Sequence, residues 1–201
     1  MGFVFAVVAL ALVGAAVYWF AMRKKDEASA PVSGWAFAWS KNVAERPNVE
    51  PDGAVWFDFP QSDGVHYVIK AAPPIALGQR ITMLFSLEGD GKLIAVDGDP
   101  VARVRIMLQQ RGDDMATADA RWWSLPLELK GPGDYTLATP VVFGNWITIG
   151  GGLPTAGEAG FVNCINNLGN IGLTFGGWSA GHGVYAQGPA RFVLRSLTVS
   201  Y

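Results

Sequence analysis

Ile81-Thr82-Met83-Leu84-Phe85-Ser86-Leu87 returns a large apolar side chain at every second position through Ile81, Met83, Phe85 and Leu87. A helix would repeat its apolar residues every three or four positions, so a period of two predicts a strand with one face on a core. The same alternation sets Val65, Tyr67 and Ile69 against His66, Val68 and Lys70, and Val104, Ile106 and Leu108 against Arg103, Arg105 and Met107. Residues 55–59, 92–96, 121–125, 135–139, 170–175, 183–186 and 190–200 are further candidates, giving roughly ten short strands. Between them fall Gln61-Ser62-Asp63-Gly64, Gly89-Asp90-Gly91, Asp97-Gly98-Asp99-Pro100, Gly131-Pro132-Gly133 and Gln187-Gly188-Pro189, residue types that accept positive φ or preset a turn. Only 161–168 carries a helical spacing, in Phe161, Cys164, Ile165 and Leu168. The pattern predicts an all-β domain, a jelly-roll β-sandwich with one short helix and no internal repeat.

The N-terminal part follows another rule. Phe3 to Met22 is a run of 20 residues without a charge, closed by Arg23-Lys24-Lys25, with Tyr18 and Trp19 near its end. At about 1.5 Å per helical residue it would span about 30 Å, the thickness of a bilayer's hydrocarbon core. The expected organisation is a transmembrane anchor over 1–22, a juxtamembrane linker over 23–33 and the β-sandwich over 34–201. A secretory signal peptide competes with the anchor through Ala28-Ser29-Ala30, which has the form of a cleavage site. Pro31 follows that site and no Lys or Arg precedes the apolar run, which favours retention. Positive flanks on the C-terminal side place the domain in the cytoplasm when read by the positive-inside rule. One short anchor leaves the side open.

From Gly34 onward 12 Lys and Arg face 15 Asp and Glu, with no basic stripe, so nucleic acid is not an expected partner. Cys164 is the sole cysteine, which excludes an internal disulfide, and its neighbours Val162 and Ile165 favour a buried small hydrophobe. With only His66 and His182, and no carboxylates suitably spaced beside them, no metal and no cofactor is expected. Asp90, Asp97 and Asp99 lack the spacing of a calcium loop, and Asp113 and Asp114 read as part of a solvated loop. Gly-x-Ser-x-Gly, a P-loop and a dinucleotide fingerprint are all absent, and Glu88, Glu128 and Glu158 are scattered, so a non-catalytic role is expected.

Thirteen glycines lie between Gly144 and Gly188, interrupted by Trp146, Ile147, Phe161, Ile171, Phe175 and Trp178. Glycine among large apolar residues marks tight turns and close backbone approaches in a β fold. Seven tryptophans are left for the domain once Trp19 is set aside. An indole can fill a core or present a flat apolar face to the C–H face of a sugar ring, while sugar hydroxyls need a few fixed polar partners. Trp122 and Trp123 are adjacent in a predicted strand, so their side chains must take opposite faces. The candidate ligand-binding residues are Trp122, Trp123 and Trp178 as platforms, and Asn166, Asn167 and His182 as polar contacts.

The Trp-rich opening, the Arg121-Trp122-Trp123-Ser124 midsection and the long closing strand from Ala190 to Val199 resemble the galactose-binding-like jelly rolls that include many carbohydrate-binding modules. The segments Gly172-Leu173-Thr174-Phe175-Gly176-Gly177 and Gly181-His182-Gly183-Val184 also resemble bacterial and prophage-encoded proteins. The first resemblance implies a two-sheet sandwich binding a glycan on its loops or concave face. The calcium loop of many such modules has no counterpart in this sequence. The expected partners are therefore the lipid bilayer through residues 3–22 and a glycan. The alternative is a structural or assembly protein, of an envelope complex or a phage-related particle, docking on a protein partner. A homo-oligomer is compatible with either.

Overall fold

The computed structural model describes residues 34–114, 117–148 and 157–201. The expected anchor and linker lie outside the described residues, and no helix among the described residues is long and apolar enough to cross a membrane. In chain order the strands are β1 (Trp35–Ala38), β2 (Asn48–Val49), β3 (Val55–Asp58), β4 (Tyr67–Ala71), β5 (Arg80–Glu88), β6 (Lys92–Ala95) and β7 (Arg103–Gln110). After them come β8 (Arg121–Ser124), β9 (Leu127–Glu128), β10 (Gly133–Pro140), β11 (Trp146–Ile147), β12 (Leu168–Gly176), β13 (Val184–Gln187) and β14 (Arg191–Ser200). The α-helix α1 (Gly157–Asn166) enters between β11 and β12. It begins a turn earlier than the spacing predicts and ends before Leu168, which is already paired with Gln110 of β7.

The strands form a seven-stranded sheet in the order β1-β4-β12-β7-β8-β11, with β9 also on β7, facing a five-stranded sheet in the order β10-β5-β14-β3-β2. A small third sheet pairs β13 with β6. Every neighbouring pair is antiparallel. Between the layers lies one apolar core, to which β5 contributes Ile81, Met83, Phe85 and Leu87, the four residues its period selects. Aromatic rings tie the layers together. Phe192 stacks on Phe85 at 4.8 Å and on Phe57 at 5.2 Å, while Phe175 of the facing sheet meets Phe57 edge-on at 5.9 Å. At another part of the core, Phe161 of α1 packs between Trp122 at 5.2 Å and Trp146 at 5.9 Å.

Strand β14 serves this core over ten residues because it slips once. A register shift between Leu194 and Ser196 moves the inward positions from Phe192 and Leu194 to Leu197 and Val199. Strand β4 departs from expectation for a related reason. The alternation puts Val65, Tyr67 and Ile69 on the core; Val65 and Val68 are there instead, and Tyr67 and Ile69 occupy the opposite face. Val65 bridges Val184 next to the small sheet, whereas Tyr67 pairs with Thr174 of β12, so the chain changes partner at His66 and gains one residue of phase. A one-residue slip exchanges the faces of a strand. The expected solvated loop at Asp113 is also corrected: its side chain is fully buried, 2.9 Å from the equally buried Arg121 guanidinium.

Candidate functional site

The face of the seven-stranded sheet turned away from the core is built from cross-strand rows. One row runs Ala36, Ile69, Gly172, Met107, Trp123, Ile147 across β1, β4, β12, β7, β8 and β11. On one side of it lies the row Ala38, Tyr67, Thr174, Arg105, and on the other the row Ala71, Asn170, Gln109, Arg121. The middle row is apolar from end to end and both flanking rows carry polar groups. Gly172 sets its floor, since a Cβ there would collide with the Val68 carbonyl oxygen and the Ile69 Cα. Tyr67, Met107 and Trp123 form an apolar cluster of their own, separate from the main core and joined by Ala38, Ile69, Ile147 and Ala180.

The segment between β12 and β13 forms a wall along this face. The resulting groove, of about 410 Å³, is lined by Tyr67, Arg121, Trp123, Ile147, Thr148 and the run from Trp178 to His182. The wall is tied down at several points. Arg105 donates to the carbonyls of Trp178 at 2.6 Å and Gly177 at 3.3 Å, and the amide of Ser179 donates to Asp97 at 3.3 Å. His66 Nδ1 lies 2.9 Å from the Gly181 carbonyl, and Gly181 packs so closely on the Tyr67 hydroxyl that a side chain there would overlap it. Gly181 and Gly183 take φ of 78° and 97°, the left-handed region open to glycine. Trp178 itself is 71% exposed, with the Arg103 guanidinium 5.6 Å from its ring centroid. Arg103 is held in turn by Asp99 at 2.7 Å.

Burial shapes the protonation of the site. Desolvation lowers the Arg105 pKa to about 10, so the buried guanidinium remains charged at neutral pH. Burial raises the Tyr67 phenol above its ordinary value, and burial lowers His66 below the usual imidazole value. Two polar atoms of the lining are fully buried with no hydrogen-bond partner: Trp123 Nε1 and Thr148 Oγ1. Leaving a buried polar group unpaired costs about 1–3 kcal/mol, and native proteins carry few of them. Both atoms lie beneath the surface of the groove, out of contact with solvent.

Of the residues singled out in the sequence, Trp123, Trp178 and His182 line this groove together. Trp122 does not: it is fully buried in the core beneath, with Nε1 donating to the Asp119 carbonyl at 2.8 Å. Asn166 and Asn167 lie at the end of α1 and do not line the groove, and Asn167 donates to the carbonyl and side-chain oxygens of Asn163. Tyr67, Met107, Ile147, Thr148 and Arg121 were not singled out. Their signal was apolar residues on both faces of β4, β7 and β8, which a strand with one solvated face would not need.

A second concavity of similar volume, lined by Asp58, Gln61, Glu88 and Arg191 among others, has its charges already satisfied. Arg191 grips Asp58 through two nitrogens at 2.7 and 3.1 Å and lies 3.9 Å over the Trp56 ring. That ring face is covered. The lining of the groove contains no carboxylate among the described residues, so a facing acid pair of the glycosidase type is not formed there.

No family model matches this sequence, and no curated protein matches it. Solved structures similar to it include a xylanase, Xylanase10C from Cellvibrio japonicus in complex with xylopentaose, at 18% identity and a TM-score of 0.47 over 83% of this chain. This chain covers 27% of that one. The xylan-binding module CBM15 is similar at 18% identity and a TM-score of 0.43, over 80% of this chain and 90% of the module. A cellulose-binding domain of the Cellulomonas fimi β-1,4-glucanase C is similar at 16% identity and a TM-score of 0.37, over 87% of each chain. The β-sandwich thus has carbohydrate-binding modules among its structural neighbours.

Proposed function

We propose that this protein is a non-catalytic glycan-binding module that receives a linear, uncharged saccharide in the groove of the seven-stranded sheet. The observation that carries this reading is the groove itself, an apolar floor of Tyr67, Met107 and Trp123 beside the 71% exposed Trp178, with Arg121, Thr148 and His182 in the lining. A pyranose has apolar C–H faces and a rim of hydroxyls, so it matches an apolar strip edged by hydrogen-bonding groups. Trp178 is the stacking platform. Trp123, a ring only 4% exposed, is floor beneath the sugar and not a stacking face. His182 supplies a polar contact from the wall. The apolar stretch 3–22 would hold the module at a bilayer.

The test is a glycan array probed with the full 201-residue chain in mild detergent. Binding to unbranched polysaccharides is expected, lost on Trp178→Ala. A correctly folded chain that binds nothing on the array overturns the reading.

A further inference from the structure

Trp39 is bulky and yet has φ of 53°, in the left-handed region. Among the described residues the two other non-glycine positions with positive φ are Asn42 and Asp63, whose short polar side chains tolerate it; for a bulky residue it is an outlier. Strain of this kind persists only where the surroundings impose it. Here Ser40 does so, its hydroxyl accepting from the His66 amide at 3.0 Å, while the Lys41 amide donates to the Gly64 carbonyl at 3.1 Å.

The twist changes which face the indole takes. In β1, Trp35 and Phe37 pack on the core and Ala36 and Ala38 alternate with them, so continued extension would send position 39 to the core. The left-handed turn delivers it to the groove face instead, edge-on to Tyr67 at 5.2 Å and 75°, with the residue 49% exposed. Tyr67 belongs to the groove lining and Trp39 lies just outside it. Along the row Ala38, Tyr67, Thr174, Arg105, the Tyr67 end carries Trp39 and the Arg105 end holds Trp178 by its carbonyl. Tyr67 and Arg105 lie two strand spacings apart, about 10 Å, which is wider than one sugar ring.

We infer that Trp39 is a second stacking platform that extends the groove past Tyr67, so that the site reads an oligosaccharide and discriminates by chain length. This rests on the glycan reading above and adds to it a subsite and a length requirement. The exposed half of the indole supplies an apolar face for a ring beyond the one on Trp178.

The experiment is calorimetric titration of the 201-residue chain with xylo- and cello-oligosaccharides, from disaccharide to hexasaccharide. For the unaltered chain, affinity is expected to rise with length. Trp39→Ala is expected to weaken the hexasaccharide about five- to tenfold while leaving the disaccharide within about twofold. Trp39→Gly suits the left-handed backbone, and is expected to weaken the hexasaccharide equally without lowering the thermal midpoint. Unchanged hexasaccharide affinity in both variants, with Trp178→Ala still abolishing binding, overturns the subsite and leaves the glycan reading intact. Equal weakening at all lengths together with a lowered midpoint in Trp39→Gly makes Trp39 a packing partner of Tyr67 and overturns it too. No binding of any oligosaccharide by the unaltered chain overturns both.

Discussion

Replacing Trp122 with alanine empties a fully buried site ringed by Phe143 and Phe161 and strands the Asp119 carbonyl that its indole serves. A loss of about 3–5 kcal/mol is expected, read from the urea midpoint at unchanged slope. The same change at Trp178, 71% exposed, is expected to cost within about 0.5 kcal/mol. A pair of variants that lose equal stability would contradict the division of the tryptophans between core and groove. That division was partly legible before any coordinates. Adjacency in a strand forces Trp122 and Trp123 apart, but which of them faces inward depends on the register of β8 against β7, where Met107 meets Trp123 and Leu108 meets Trp122. Register is a long-range property, and no local pattern contains it.

The wall from Gly177 to Gly183 is the element whose order the site depends on, and one of its anchors titrates. His66 contacts Gly181 through Nδ1, and its ring abuts Gly183 closely enough to exclude a side chain there. Burial holds its pKa below the ordinary value of 6.5, with Lys41 and His182 acting in the same direction and the Gly181 hydrogen bond and Asp63 opposing. As pH falls, the unfolded chain therefore takes up this proton before the folded one. The contribution of neutral His66 is complete above pH of about 6.5 and is lost progressively below it. The thermal midpoint is expected to fall between pH 7 and pH 5, with a shallower fall in His66→Gln. Parallel profiles would show that the imidazole does not govern the wall. Asn166 and Asn167 illustrate a different lesson at this scale. Their amides suit a ligand, but they sit at the C-terminal end of α1, where one of them binds back to Asn163 across a single turn.

At the scale of the whole chain, the β-sandwich with one helix was legible because most of its strands are amphipathic over four residues or more, and period two is a local signal. Strands such as β2, β9 and β11, of two residues each, exist only through the neighbours they pair with and leave no period to find. The groove escaped for a third reason. Ile69 read as a core residue, Met107 as the outward face of its strand and Trp123 as a lone platform, and only the sheet order shows that they form one apolar floor on the far side. Cys164 completes the picture at this scale. Its thiol is fully buried among Phe161 and the neighbouring core, and desolvation drives its pKa up to about 12, far from the thiolate that oxidation and exchange require. Thiol reagents are expected to leave it untouched until the chain unfolds, and reductant to leave the thermal midpoint where it was; labelling of the native chain would contradict this. With neither a disulfide to lose nor a thiol to oxidise, the sandwich is chemically neutral toward redox poise. The same fold would serve equally in a reducing or an oxidising compartment.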